Sequence, residues 1–304
     1  MTGRQTSGGG PVLGARPVRT ALPRTRLGEA PRLDTATGTL SWVDLVAGRL
    51  WLAEARPDAP EPLTAPVLAG EFPGELGCAV RAGDGEDWLL ALDGTVLRWR
   101  PGTAPERAAV AARPEPDPTR ARLNDGAVDP LGRLWVGSIG HRRPLEPVAR
   151  LHLLAPGRPP AVLLDGMLAA NGIGWSPDGS LAYVVDTGHR RIHRLRLAGD
   201  GLPQPDGAPL PVPGVPDGLT VDEEGCLWVA LWDGAAVVRL APDGTELGRI
   251  PMPCSRPTAC AFVGPHLVVT TATVEGEDGS GWTYTVEVGV TGQAAHRAAL
   301  PTDD

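Results

Sequence analysis

Residues 122–140 read RLNDGAVDPLGRLWVGSIG, and the short apolar run after Gly132 decides the fold. A turn closing on a glycine leads into a strand rich in Leu, Trp and Val. The phrase returns as TGTLSWVDL around Gly38, GEDWLLAL from Gly85, GSLAYVVDT from Gly179, GCLWVALW from Gly225 and GPHLVVTTA from Gly264. These anchoring glycines are 47, 47, 47, 46 and 39 residues apart. A period of roughly 40–50 residues built from strands and turns is the signature of a propeller. The expected fold is therefore all-β: a six-bladed β-propeller of four-stranded antiparallel blades around a central channel. A β-sandwich would share the strands and hairpins, but six evenly spaced copies argue against it.

Composition agrees. The chain has 304 residues, 40 Gly and 33 Pro, so about 24% of it is backbone punctuation that breaks long helices. At 42% hydrophobic it still buries a large core. No lysine occurs, and all 28 basic residues are arginine, which excludes Schiff-base chemistry and a Walker-type phosphate loop. A net charge of −8 argues against nucleic acid or an anionic membrane as partner. Cys78, Cys226, Cys254 and Cys260 show no CxxC spacing, the pattern of buried, reduced thiols in a cytoplasmic protein. Residues 1–24 lack the apolar core of a secretory signal and read as a flexible leader, with the propeller over 25–304.

A second pattern runs in phase with the first. Eight residues before successive anchor glycines stand Gly77, Asn124, Asn171, Asp217 and Arg256, and Glu29 stands nine before Gly38. In a propeller such positions converge on the axis. Glu29, Asn171 and Asp217 then form an all-oxygen set with two negative charges, suited to a hard divalent cation with open coordination positions. Asn-Gly and Asp-Gly are equally the residues of plain tight turns. Other constellations are weaker. GSIG at 137–140 is not a nucleophile elbow. His189 and His193, if both lie on one strand, are roughly 13 Å apart, too far to share a zinc ion. Cys254, Cys260 and His266 read better as core than as a metal site. Trp232 falls near the expected mouth.

In these residues the chain resembles the SMP-30/gluconolactonase/regucalcin family. The blocks LGEAPRLDTATGTLSWVDL, RLNDGAVDPLGRLWVGS, ANGIGWSPDGSLAYVVDT and PDGLTVDEEGCLWVALWDG carry the likeness, followed by RPTACAFVGPHLVVTTA and WTYTVEVGV. The resemblance implies a six-bladed propeller that hydrolyses sugar lactones with one divalent ion. Ca²⁺ or Zn²⁺ leads among the ions, with Mg²⁺ and Mn²⁺ also compatible. It places metal ligands on Glu29, Asn171 and Asp217, and substrate contacts on Arg122 and Asn124, with Asp125 beside them. A further substrate-binding carboxylate is assigned to Glu146, in a loop that aligns poorly. Ala30 stands where the family commonly has glycine. The Pro-rich stretch 52–76 matches least and is expected to shape the rim of the site.

The activity this implies is lactone hydrolysis, with Asp217 as both ligand and general base on the attacking water. The expected partner is a small sugar lactone, with no nucleic acid or membrane, and the protein is expected as a monomer or weak homo-oligomer. One alternative is a calcium-binding regulatory propeller without significant turnover. Another is a phosphotriester or aryl-ester hydrolase, which calls for more acidic ligands than the inner-strand phase supplies.

Overall fold

The computed structural model describes residues 16–300 and is built almost entirely of strands. Six antiparallel sheets follow one another along the chain. Their first strands are Gly28–Asp34, Leu76–Ala82, Ala121–Val128, Ala170–Trp175, Val215–Val221 and Pro257–Val263. Each packs against the first strands of the two neighbouring blades, so the six close a ring around the axis. The six-bladed propeller expected from the repeat is the observed fold. Among the described residues no helix is long and apolar enough to cross a membrane.

The turn-glycine-strand phrase sits at the first hairpin of each blade, with a Trp in four of the six. In two blades an aspartate ties it together. Asp129 accepts from the Leu131 and Arg133 amides and the Trp135 indole, and Asp222 accepts from the Glu224 and Cys226 amides and the Trp228 indole. Trp42, Trp88, Trp135 and Trp228 are wholly buried between blades, where each large ring removes much apolar surface from water.

The Asn-Gly and Asp-Gly pairs are not tight turns. Asn171–Gly172 lies within Ala170–Trp175 and Asp217–Gly218 within Val215–Val221. Glycine is required there because inner strands approach closely at the narrow end of the wedge. A Cβ on Gly172 would sit 2.2 Å from the Leu219 nitrogen, and one on Gly218 only 2.5 Å from the Ala259 Cα. Gly218→Ala is expected to destabilise the protein by about 1–3 kcal/mol through overpacking. Equilibrium urea unfolding measures this, and an unchanged midpoint would show that the ring absorbs the methyl group.

Two expectations change. Val18–Arg19 pairs with Tyr284–Glu287 as the outermost strand of the last blade, and Leu22 is buried at 2% exposure. Residues 16–24 therefore close the ring rather than forming a leader; the earlier residues of that stretch lie outside the described ones. Ring closure needs a strand from the other terminus because the last blade supplies only three of its own. The Pro-rich stretch reaches the mouth only at its C-terminal end, where Glu75 pairs with Arg122 of the site wall. Its loop follows Arg49–Glu54 at the end of the blade away from the site, where Pro57 packs under Gly264, and Val67–Glu71 is an outer strand. In the fourth blade the outer strand is split into Gln204–Pro205 and Leu210–Pro211, since proline cannot donate to the ladder.

Candidate active site

The polar residues reach the channel through a repeated irregularity. In all six blades the pairing of first and second strands slips at the same place. The slips fall between Glu29 and Arg32, Leu76 and Cys78, Leu123 and Gly126, Ala170 and Ile173, Pro216 and Leu219, and Pro257 and Ala259. A bulge re-aims the side chains it contains, here at the start of each inner strand. Ala30 follows Glu29 with φ +47°, a left-handed conformation that explains why a glycine suits this position. In the last blade the equivalent residue is Thr258, not Arg256. Its first hairpin turn is shorter, so counting back eight from Gly264 overshoots by two residues. Arg256 instead lies over the Trp232 ring and donates to Asp233.

Glu29, Asn171, Asp217, Arg122 and Asn124 line one cavity of about 270 Å³ at this end of the channel. Glu29, Asn124, Asn171 and Asp217 are each less than a tenth exposed. The Asn171 Nδ2 donates to Asp217 and to Thr187 Oγ1, which fixes the amide and leaves its oxygen without a hydrogen bond among the described residues. Glu29 Oε2 is buried with no partner. Arg122 is anchored on three sides: its Nε pairs with Glu75 at 2.8 Å, and its Nη1 donates to Asn124 Oδ1 and the Leu123 carbonyl, both at 2.9 Å. Asn124 in turn donates to the Ala170 carbonyl. Below them Asp125 is paired with Arg32 at 2.9 Å.

The electrostatics leave a deficit of positive charge. Burial, reinforced by the charges of Asp217 and Asp125, pushes Glu29 well above the ordinary carboxylate range against the pull of Arg122. Burial drives Asp217 up to about 8; the Asn171 hydrogen bond and Arg122 oppose the rise and the Asp125 charge adds to it. Two desolvated carboxylates side by side, one with an orphaned oxygen, are the electrostatic mark of a cation site. With the free Asn171 oxygen the donor set is all oxygen, and the residues fit a hard divalent ion.

The other predicted positions divide. Trp232 lines the cavity. Glu146 does not: it pairs with Arg142, an 82% exposed side chain, while Arg143 and Leu145 of the same loop line the wall. Alternate residues of the loop thus face the cavity, and a guanidinium lines it where a carboxylate was expected. Sequence reasoning missed Arg143 because loop residues carry no periodicity. His189 lies in the turn before Arg191–Arg196 rather than on it. It and His193 thus converge on Asp186, at 2.7 and 3.7 Å, together with Arg191. Burial opposes ionisation of Asp186, yet hydrogen bonds from His193 and His189 hold it at about 2, so this is an ion-pair cluster. Burial pushes the Cys254 and Cys260 thiols up to about 11 and 12, which suits core residues. Asp222, Glu224 and Cys226 also bring ligand atoms within 4.8 Å of one another. Both Asp222 oxygens are already taken by amides, the Trp228 indole and Arg239, so this cluster is structural.

Residues 27–273 match the family described as SMP-30/Gluconolactonase/LRE-like region. The chain is 34% identical to a 6-deoxy-6-sulfogluconolactonase of Pseudomonas putida, over 79% of this chain and 80% of that one. It is 31% identical to a pentonolactonase of Haloferax volcanii, over 84% of each. The crystal structure of a calcium-binding protein, regucalcin, from Agrobacterium tumefaciens superposes with a TM-score of 0.78 at 26% identity, covering 95% of this chain and 97% of that one. The match over most of the described chain shows that it belongs to the SMP-30/gluconolactonase/LRE-like family.

Proposed function

We propose that this protein hydrolyses sugar lactones in the cavity around Glu29, Asn171 and Asp217, with one divalent ion held by those three residues. The observation that carries the proposal is the convergence of two uncompensated buried carboxylates and a fixed amide in one pocket. The names of the relatives, a sulfogluconolactonase and a pentonolactonase, support the substrate class. When bound, a divalent ion would polarise the lactone carbonyl and offset the negative charge that develops on its oxygen.

The protein's own groups do the rest. Asp217 takes a proton from the attacking water as the new carbon–oxygen bond forms, a role commonly worth about 10²–10⁴-fold. The ring carbon–oxygen bond then breaks, and the proton passes from Asp217 to the departing ring oxygen. The product is a hydroxy acid, which releases a proton on ionising. Asn124, held by Arg122 and the Ala170 carbonyl, keeps one amide hydrogen for a substrate hydroxyl. Leu27, Leu45, Ile139 and Val215 form apolar walls that limit bulk water.

The test is a pH-indicator screen of aldonolactones with EDTA-treated protein and each of Ca²⁺, Zn²⁺, Mg²⁺ and Mn²⁺ added back. Metal-dependent acid release is expected. Its absence for every lactone, with an ion still bound, would favour a cation-binding regulatory propeller without turnover.

The metal-free protein should also respond to pH. Asp217 sits at about 8 when folded against an ordinary value of 3.8, so the folded state holds a proton that the unfolded chain has lost. Stability of the metal-free protein is therefore expected to fall as pH rises from roughly 4 to 8. Ion affinity runs the other way, rising by up to about tenfold per pH unit for each proton displaced. Thermal melts and calorimetric titrations at pH 6, 7 and 8 read both slopes, and a pH-independent affinity would contradict the assignment.

A further inference from the structure

The geometry points to a substrate that carries its own anionic group: Arg143 is placed to receive a carboxylate, sulfonate or phosphate on the part of the lactone nearest the mouth. This rests on the lactonase reading and narrows its substrate class.

Arg143 belongs to the loop between Leu134–Gly140 and Ala149–Leu154, and its side chain lines the same cavity as Glu29 and Asp217. Its Nη1 donates to the Gly140 carbonyl at 2.8 Å and the Arg142 carbonyl at 3.0 Å. That anchors one corner of the guanidinium. Its Nε and Nη2 make no hydrogen bond or ion pair with the described residues, and these two nitrogens share one edge of the planar group. Such an edge is the fork that binds an oxyanion with two parallel hydrogen bonds.

A charge count isolates the same residue. The charged groups of the wall are Glu29, Asp217, Arg122 and Arg143. A divalent ion, when bound, would balance the two carboxylates. Arg122 is paired with Glu75, and Asp125 below the site is paired with Arg32. On the loop itself Arg142 is paired with Glu146. Of the two cationic groups of this wall, Arg143 alone has no ion-pair partner among the described residues. Its field reaches Arg122, whose pKa is lowered first by burial and further by Arg143, against the pull of Glu75 and Glu29. Two guanidinium groups facing one apolar-walled pocket repel each other, and an anion between them and solvent relieves that repulsion.

D-Glucono-1,4-lactone and D-glucaro-1,4-lactone share a ring and differ only in a hydroxymethyl group against a carboxylate. Hydrolysis of both is measured with the metal-loaded protein and with Arg143→Gln, Arg143→Lys and Arg142→Gln. The charged lactone is expected to show a KM about tenfold or more below that of the neutral one, and this advantage should shrink as salt rises. Arg143→Gln should raise the KM for the charged lactone about tenfold more than for the neutral one, with Arg143→Lys in between. Arg142→Gln, which removes an equal charge from the same loop, should leave the ratio within about twofold. Equal losses on both lactones in Arg143→Gln, or a wild-type preference for the neutral lactone, would overturn the inference and leave the lactonase reading standing. If neither lactone is hydrolysed, the wider aldonolactone screen decides the lactonase reading. Calorimetric binding of D-glucaro-1,4-lactone to wild type and Arg143→Gln then decides the anion site alone, and equal affinities would remove it.

Discussion

Asp217→Asn is expected to eliminate lactone turnover and divalent-ion binding together, while the metal-free variant melts at the same temperature as wild type or higher. The two halves of that outcome have one cause. Asp217 is 4% exposed, and its carboxylate is held against Asn171 beside Glu29, with no cation to balance the pair. An asparagine of the same shape removes an acid that the metal-free fold must either protonate or hold as a buried charge, so the fold is spared that cost and keeps its packing. The same change removes a charged ligand and the proposed base. Loss of the base alone is commonly worth about 10²–10⁴-fold, and loss of the ion adds to it. Turnover is therefore expected to fall by about 10³-fold or more. Differential scanning fluorimetry with and without added ion, beside an acid-release assay, reads each effect separately. A variant that still binds an ion and still hydrolyses lactones would move the centre away from Asp217. A variant that fails both assays and melts far below wild type would instead assign Asp217 a structural role.

Asp222→Ala should do the opposite: lower stability strongly and leave the ion site intact. Asp222 is wholly buried and accepts from two amides, the Trp228 indole and both the Nε and Nη2 of Arg239. Arg239 is 4% exposed, and its remaining partner is Glu224. Removing Asp222 strips the hairpin of the fifth blade of its amide acceptor and leaves a buried guanidinium half-paired. Breaking a buried pair from one side typically costs about 3–5 kcal/mol. For a chain of this size that corresponds to a melting temperature lower by roughly 10 °C. Ion stoichiometry from calorimetry should be unchanged. A lost ion with an unchanged melting temperature would mean that Asp222, Glu224 and Cys226 bind the cation, against the hydrogen-bond pattern.

Comparison of the two aspartates shows how the site was legible. Both precede or follow a turn glycine at fixed spacing, and both come from the repeat. Phase separates them: Asp217 lies eight residues before Gly225 and Asp222 three before it, so the first falls near the start of an inner strand and the second just past its end. The phase also found Glu29, Asn124 and Asn171. It failed in the last blade, where a shortened hairpin put Thr258 in the place counted to Arg256. It could not foresee the bulge, because a slipped register leaves no composition signature beyond a glycine that also reads as a turn. Glu146 was assigned by resemblance in a loop that aligns poorly, and that loop lines the cavity with Arg143 instead.

The amino-acid sequence by itself determined the number of blades, the strand and turn periodicity within each, and the four oxygen-bearing residues, Glu29, Asn124, Asn171 and Asp217, that share a ring position. These are local properties: alternation of apolar residues, turn chemistry and spacing repeat in every copy and need no distant partner to be expressed. Tertiary structure alone decided how the ring closes, through Val18–Arg19 beside Tyr284–Glu287, and which loop side chains face the cavity. Both depend on contacts between residues far apart in the chain. Pairing across the whole length and the direction of a loop side chain are settled by which neighbours are already in place. The charge balance at the site belongs to the same class. Glu29 and Asp217 are ordinary carboxylates in sequence, and only their joint burial in one pocket makes them a centre that calls for a cation.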